Sequence, residues 1–214
     1  SPTDMGVNMA GNCICDDEAC REASKQEIIR RYFDALNALA KGSTSEKEAQ
    51  KIELLMNMAG ITVTDRKVVI KALERAKETD GPAAALELRD GRIITGKTTN
   101  LLGASAALLL NVLKVLAGID HETHIISPES IEPIQKLKVD YLKSKNPRLH
   151  TDEVLIALSA SAATNPQARL ALSQLPELAG CQAHTSVMLS DVDIKIFKKL
   201  EVQLTSEAVY EHAL

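Results

Sequence analysis

The run GRIITGKT at 91–98 meets the pattern G-x-x-x-x-G-K-[ST] through Gly91, Gly96, Lys97 and Thr98. Such a loop cradles phosphates with its backbone amides while the lysine reaches the outer phosphates. That chemistry needs a preceding strand and a loop interior free to wrap. Here the interior is Arg92-Ile93-Ile94-Thr95, and two adjacent isoleucines read as strand. Asp90-Gly91 reads as a two-residue hairpin turn, with Gly91 at positive φ. The run is therefore read as a hairpin rather than a working phosphate loop. What survives is Gly96, Lys97, Thr98 and Thr99 as a helix entrance, where free amides and a lysine would favour an anion. The competing reading is a threonine cap beside a solvated lysine.

A second polar cluster is Asn146-Pro147-Arg148-Leu149-His150-Thr151-Asp152-Glu153. It also enters a helix. Arg148 could grip a carboxylate or phosphate with two parallel hydrogen bonds, and His150 could serve as a general acid or base. The alternative is an ordinary capping loop, with Thr151 as cap and Glu153 in the first turn. Asn146, Arg148 and His150 join Gly96, Lys97, Thr98 and Thr99 as the candidate site residues, with His150 the weak catalytic candidate.

The remaining constellations are weaker. Cys13, Cys15 and Cys20 are close in sequence, but structural zinc favours paired C-x2-C elements, so free thiols and no metal are expected. His121-Glu122-Thr123-His124 falls in an expected strand, whose alternation would send the two histidines to opposite faces. His184, inside an apolar strand, reads as a satisfied core residue.

Positioning these groups requires a sizeable core. The 214 residues are 45% hydrophobic, with three Tyr, two Phe and no Trp, so aliphatic side chains must build it. Few aromatic faces are available to stack bases. The net charge of −4 comes with no Lys/Arg block, which argues against nucleic acid as a partner. The most apolar stretch, Leu101 to Leu116, is shorter than a bilayer span and carries Asn111 and Lys114, so a buried helix is expected and no membrane association. The chain opens on Ser1 without an initiator Met or a signal peptide, as expected of a fragment or a processed chain, and reduced cysteines fit a cytoplasmic location.

Periodicity predicts helices from Asp16 to Gly42 and from Ser45 to Ala59, with Gly60 as a stop, and a third helix capped by Thr64. Residues 1–81 read as a helical subdomain that ends at Gly81-Pro82. From 82 to 214 strands and helices alternate. Strands are expected at Ala83–Leu88, Arg92–Thr95, His121–Ser127, Cys181–Leu189 and Glu201–Ser206. Helices are expected at Thr98–Ala117, from Pro128 to about Leu142, from Thr151 to about Thr164, restarting at Pro166, and after Ser190. This pattern is an α/β layered domain with a mixed sheet.

Several long strings carry a family resemblance: SPTDMGVNMAG at 1–11, REASKQEIIRRYF at 21–33, KIELLMNMAGIT at 51–62, ITGKTTNLLGASAALLLN at 94–111, SPESIEPIQKLK at 127–138 and NPRLHTDEVLIALSASAATNP at 146–166. Together they resemble the C-terminal half of an uncharacterised bacterial family, the domain-of-unknown-function family eighteen forty-six. The resemblance implies a full-length protein roughly twice this long, whose missing N-terminal half carries its own glycine-rich, lysine-bearing loop. It further implies a helical subdomain followed by a three-layer α/β sandwich of cytidine-deaminase-like shape. The deaminase zinc signature, His-x-Glu with Pro-Cys-x-x-Cys, is absent from this sequence.

The expected function is binding of a nucleotide or phosphorylated metabolite, with Lys97, Thr98, Arg148 and His150 lining an anion pocket that the missing half completes. The alternative is a scaffold or homo-oligomerisation module, suggested by the small residues from Gly103 to Ala107.

Overall fold

The structure, a computed structural model, describes residues 16–211. They fall into two compact units divided between Arg66 and Lys67. In the first, α1 (Asp17–Ala40) and α2 (Glu46–Ala59) pack together. Asp16 caps α1, its carboxylate accepting from the Ala19 amide at 2.9 Å. Gly60, at φ 65°, ends α2 in the left-handed conformation that glycine adopts without strain. Ile29, Phe33, Ala49 and Met56 are buried. Leu55, next to the buried Met56, is exposed.

The second unit is built on a four-stranded mixed sheet of β1 (Ala83–Glu87), β2 (Ile93–Lys97), β3 (Gln182–Thr185) and β4 (Gln203–Ser206), ordered β2-β1-β3-β4. β1 is antiparallel to both of its neighbours, and β3 and β4 are parallel. So β2, β3 and β4 run one way and β1 the other. Helix α3 (Lys67–Thr79) buries Val68 and Ala72 against Ala85. Helix α4 (Ala104–Leu116) packs with Ala84 and Leu86. Alternation along β1 thus puts α3 and α4 on opposite faces of the sheet. Helices α5 (Pro128–Lys136), α6 (Thr151–Ser161), α7 (Pro166–Leu172) and α8 (Asp191–Lys199) contribute to the core that α4 dominates.

Several expectations change. The third helix opens at Lys67 after a short 3-10 turn at Val63–Asp65, so Thr64 does not cap it. It packs on the sheet and falls in the second compact unit, which begins at Lys67. Residues 121–127 form turns rather than a strand, although Ile125 and Ile126 are buried. The hairpin loop has three residues, not two. The Leu88 amide donates to the Arg92 carbonyl, the Gly91 amide donates to the Leu88 carbonyl, and Gly91 sits at φ 84°; this is a type I turn closed by a left-handed glycine.

The correction that matters most concerns β2 and α4. The strand continues through Gly96 and Lys97, and α4 does not begin until Ala104. No helix opens at Gly96–Thr99. Gly96 serves packing instead, because a Cβ there would lie 2.2 Å from the Leu108 backbone nitrogen. The small residues Ala104 to Ala107 are buried, and Ala104 and Ala106 belong to the same core. Among the described residues no helix is long and apolar enough to cross a membrane.

Candidate functional site

The two candidate loops do meet. Leu102 and Leu149 form a parallel bridge, with the Leu149 amide donating to the Leu101 carbonyl at 2.9 Å and the Gly103 amide donating to the Leu149 carbonyl at 3.2 Å. Their functional side chains nevertheless part. Gly96 contacts α4, while Ile93 packs with α3. Lys97 shares the parity of Ile93 and lies on the α3 face.

At the α6 entrance, His150 rather than Thr151 is the cap residue, and Glu153 accepts from the His150 amide at 2.8 Å. Asp193 of α8 accepts from the Thr151 amide at 2.9 Å, from the Thr151 hydroxyl at 2.8 Å and from the Ser190 hydroxyl at 2.8 Å, and it hydrogen-bonds His150 Nδ1 at 3.0 Å. Burial opposes its charge, but those four donors outweigh the penalty and lower its pKa to about 2. In return the Asp193 hydrogen bond raises the His150 pKa. Asn146 accepts from the Arg148 amide at 3.0 Å, and Arg148 pairs with Glu211 at 2.7 Å. Lys138 is buried between Glu153 and the Arg148 carbonyl. The positive end of α6 is therefore already met by protein carboxylates, and Arg148 already has a carboxylate partner.

A different place gathers basic side chains. An open cavity of about 850 Å³ lies against β2, lined by its five residues and by Thr99, Asn100, Asn111, Lys114 and, from the segment that follows α4, Ile119, Ile125, Ile126 and Ile131. Arg75 reaches it from α3. The basic lining groups are Arg75, Lys97, Lys114, His121 and His124, and no Asp or Glu lines it. Because β2 is an edge strand, its outer backbone groups face this side. Asn111 Nδ2 satisfies the Thr95 carbonyl at 2.9 Å. Gln135 of α5 donates to the Asn100 carbonyl at 3.0 Å and holds the loop above. Thr99 Oγ1 is used within its own loop, accepting from the Leu101 and Leu102 amides. Arg75 Nη1 bonds Glu78 at 3.1 Å, yet its buried Nε has no hydrogen-bond partner. Lys97 makes no hydrogen bond or ion pair among the described residues and extends from the strand end, exposed.

Of the candidate residues, Gly96, Lys97 and Thr99 line this cavity, while Thr98, Asn146, Arg148 and His150 do not. His121 and His124, expected to diverge, both line it because their segment is not a strand. Sequence reasoning passed over Arg75 and Lys114. The signal for the second was legible, since Asn111 and Lys114 interrupt an otherwise apolar helix. Cys13 and Cys15 lie outside the described residues. Cys20 is a free thiol, and no group of three metal-binding side chains occurs among the described residues. His184 is satisfied as expected, at 2.8 Å from Thr205 Oγ1 and 3.2 Å from Glu207.

Fold and cavity together define a mixed α/β protein bearing a basic cavity within the size range of small-molecule sites. The family described as domain of unknown function DUF1846, C-terminal, matches residues 64–214, and its N-terminal counterpart matches residues 1–60. The chain belongs to this DUF1846 family. It is 60% identical over 210 residues to a UPF0371 protein of Corynebacterium aurimucosum, covering 98% of this chain and 42% of that relative. It is 57% identical over 211 residues to one of Corynebacterium efficiens (99% and 43%), and 50% identical over 212 residues to one of Streptococcus thermophilus (99% and 43%). The chain thus spans about two fifths of the length of the curated relatives it matches.

Proposed function

We propose that this chain is part of a protein that binds a nucleotide or phosphorylated metabolite, and that the ligand occupies the cavity against β2. The observation that carries the reading is the lining: Lys97 and Arg75, with two histidines and no carboxylate, around a mostly aliphatic interior. An anionic group beside Lys97 and Arg75 would gain charge-assisted hydrogen bonds, and the buried Arg75 Nε would gain the partner it lacks. An apolar body would rest on Ile93, Leu110 and Ile131. A cavity open on one side suits a site that the remainder of a full-length protein closes. The placement of α3 and α4 on opposite sheet faces supports the three-layer, cytidine-deaminase-like architecture that the family resemblance implies. The free, buried Cys181 fits a cytoplasmic setting.

The test is calorimetric titration with a panel of nucleotides and phosphorylated metabolites. Lys97→Ala and Arg75→Ala are each expected to weaken binding roughly tenfold, the scale of one charge-assisted hydrogen bond. Arg148→Ala, outside the cavity, should bind like the parent. Absence of binding by every member of the panel, or undiminished binding by both cavity variants, refutes the reading.

A further inference from the structure

Lys114 is the cavity group whose chemistry anion binding does not use. It sits in the last turn of α4 with 8% of its surface exposed, and it lines the cavity beside Leu110, Val115 and Ile119. Its Nζ donates to the His121 carbonyl. Among the described residues it forms no ion pair, so no carboxylate contact fixes it as an ammonium. Desolvation pushes its pKa down, and the nearby charges of Glu122 and Asp120 only partly offset this. A lysine amine desolvated among apolar neighbours and other cations is one of the recognised ways to obtain a nitrogen nucleophile. The cavity supplies the apolar surroundings, with Leu110, Val115 and Ile119 also lining it.

Building on the proposed anion site, we infer that Lys114 condenses with an aldehyde or ketone carbon of the anionic ligand to form a Schiff base. The neutral amine lone pair attacks the carbonyl carbon, and the C=O π pair moves to oxygen, which is protonated. The resulting carbinolamine expels that oxygen as water, taking both amine hydrogens overall, while the nitrogen lone pair closes the C=N bond. The step needs neither oxidant nor reductant. The His121 carbonyl holds one N–H and so restrains the nitrogen against the wall.

Pyridoxal 5′-phosphate, an aldehyde that carries a phosphate, is a suitable probe. The 214-residue chain is incubated with less than one equivalent, reduced with borohydride, digested and mapped by peptide mass. The expected result is a reduced adduct on Lys114 ahead of the exposed lysines. Inorganic phosphate should suppress it, and pyridoxal without the phosphate should give less. Lys114→Arg should lose the adduct while keeping the melting temperature. An adduct on Lys97, label scattered over surface lysines, or unchanged labelling of Lys114→Arg overturns the inference. If phosphorylated ligands bind but Lys114 stays unmodified, the Schiff base fails and the anion site stands. If no phosphorylated ligand binds either, both fail.

Discussion

His150 and Asp193 join the entrances of two helices through one hydrogen bond. Asp193 is buried and ties the opening turns of α6 and α8 together through four donors. Its folded pKa, about 2, lies below its ordinary 3.8. A depressed carboxylate stabilises the fold above its unfolded pKa, and that contribution disappears as pH falls through the folded value. We expect about 2 kcal/mol of stability to be lost between about pH 4 and about pH 2, since each tenfold change in proton affinity corresponds to ~1.4 kcal/mol. The His150 pKa is raised, so its contribution is complete below about pH 6.5 and declines as pH rises through the folded value. Both effects arise from the same ion pair and are counted once. Urea unfolding across this pH range should show both slopes, and Asp193→Asn should flatten them. Unchanged slopes in that variant would contradict the assignment.

At the scale of elements, the two glycines of the GRIITGKT run do different work. Gly91 is needed for its φ of 84° at the hairpin, with nothing near the position of a Cβ. Gly96 is needed for space, because the α4 backbone at Leu108 lies against it. Gly91→Ala should therefore cost about 1 kcal/mol through backbone strain. Gly96→Ala should cost more, about 2–3 kcal/mol, because strand and helix must separate. Thermal denaturation ranks the two directly, and the order should hold in phosphate-free buffer, where a phosphate-loop role would be silent. Equal costs would contradict the packing role of Gly96. Helix α3 makes a related point. Its stripe of Val68, Val69 and Ala72 was legible in the sequence and is buried. Leu73, one position beyond Ala72, is exposed, since periodicity gives the direction of a face but not the width of its partner.

On the scale of the whole chain, the position of α3 decides where the second unit begins. It covers the sheet face bearing Ala85 and Ile93. Residues 67–214 made alone should fold and melt cooperatively. Residues 82–214, cut at Gly81-Pro82, should lose that cover, expose one side of β1 and behave as a poorly packed or aggregating chain. Circular dichroism and sedimentation of the two fragments distinguish the cases, and a well-folded 82–214 would restore the later boundary.

The sequence by itself determined what short-range rules control: the caps at Asp16, Asn165 and Ser190, the stops at Gly42 and Gly60, the hairpin at Gly91 and the four strands that were built. Each rests on a backbone preference or a side chain bonding its own turn, which a few neighbouring residues specify. It also singled out Lys97, which the structure places at the end of β2 on the cavity rather than at a helix entrance. Only the tertiary structure decided that Gly96 continues a strand, because the contact that requires glycine there comes from Leu108, twelve residues away. Only it turned the apolar segment at 121–127 into a buried loop and brought its two histidines to one wall with Arg75, Lys97 and Lys114. Burial can be met by a strand or by a packed turn alike, and which charges share a cavity depends on how distant elements meet rather than on any local pattern.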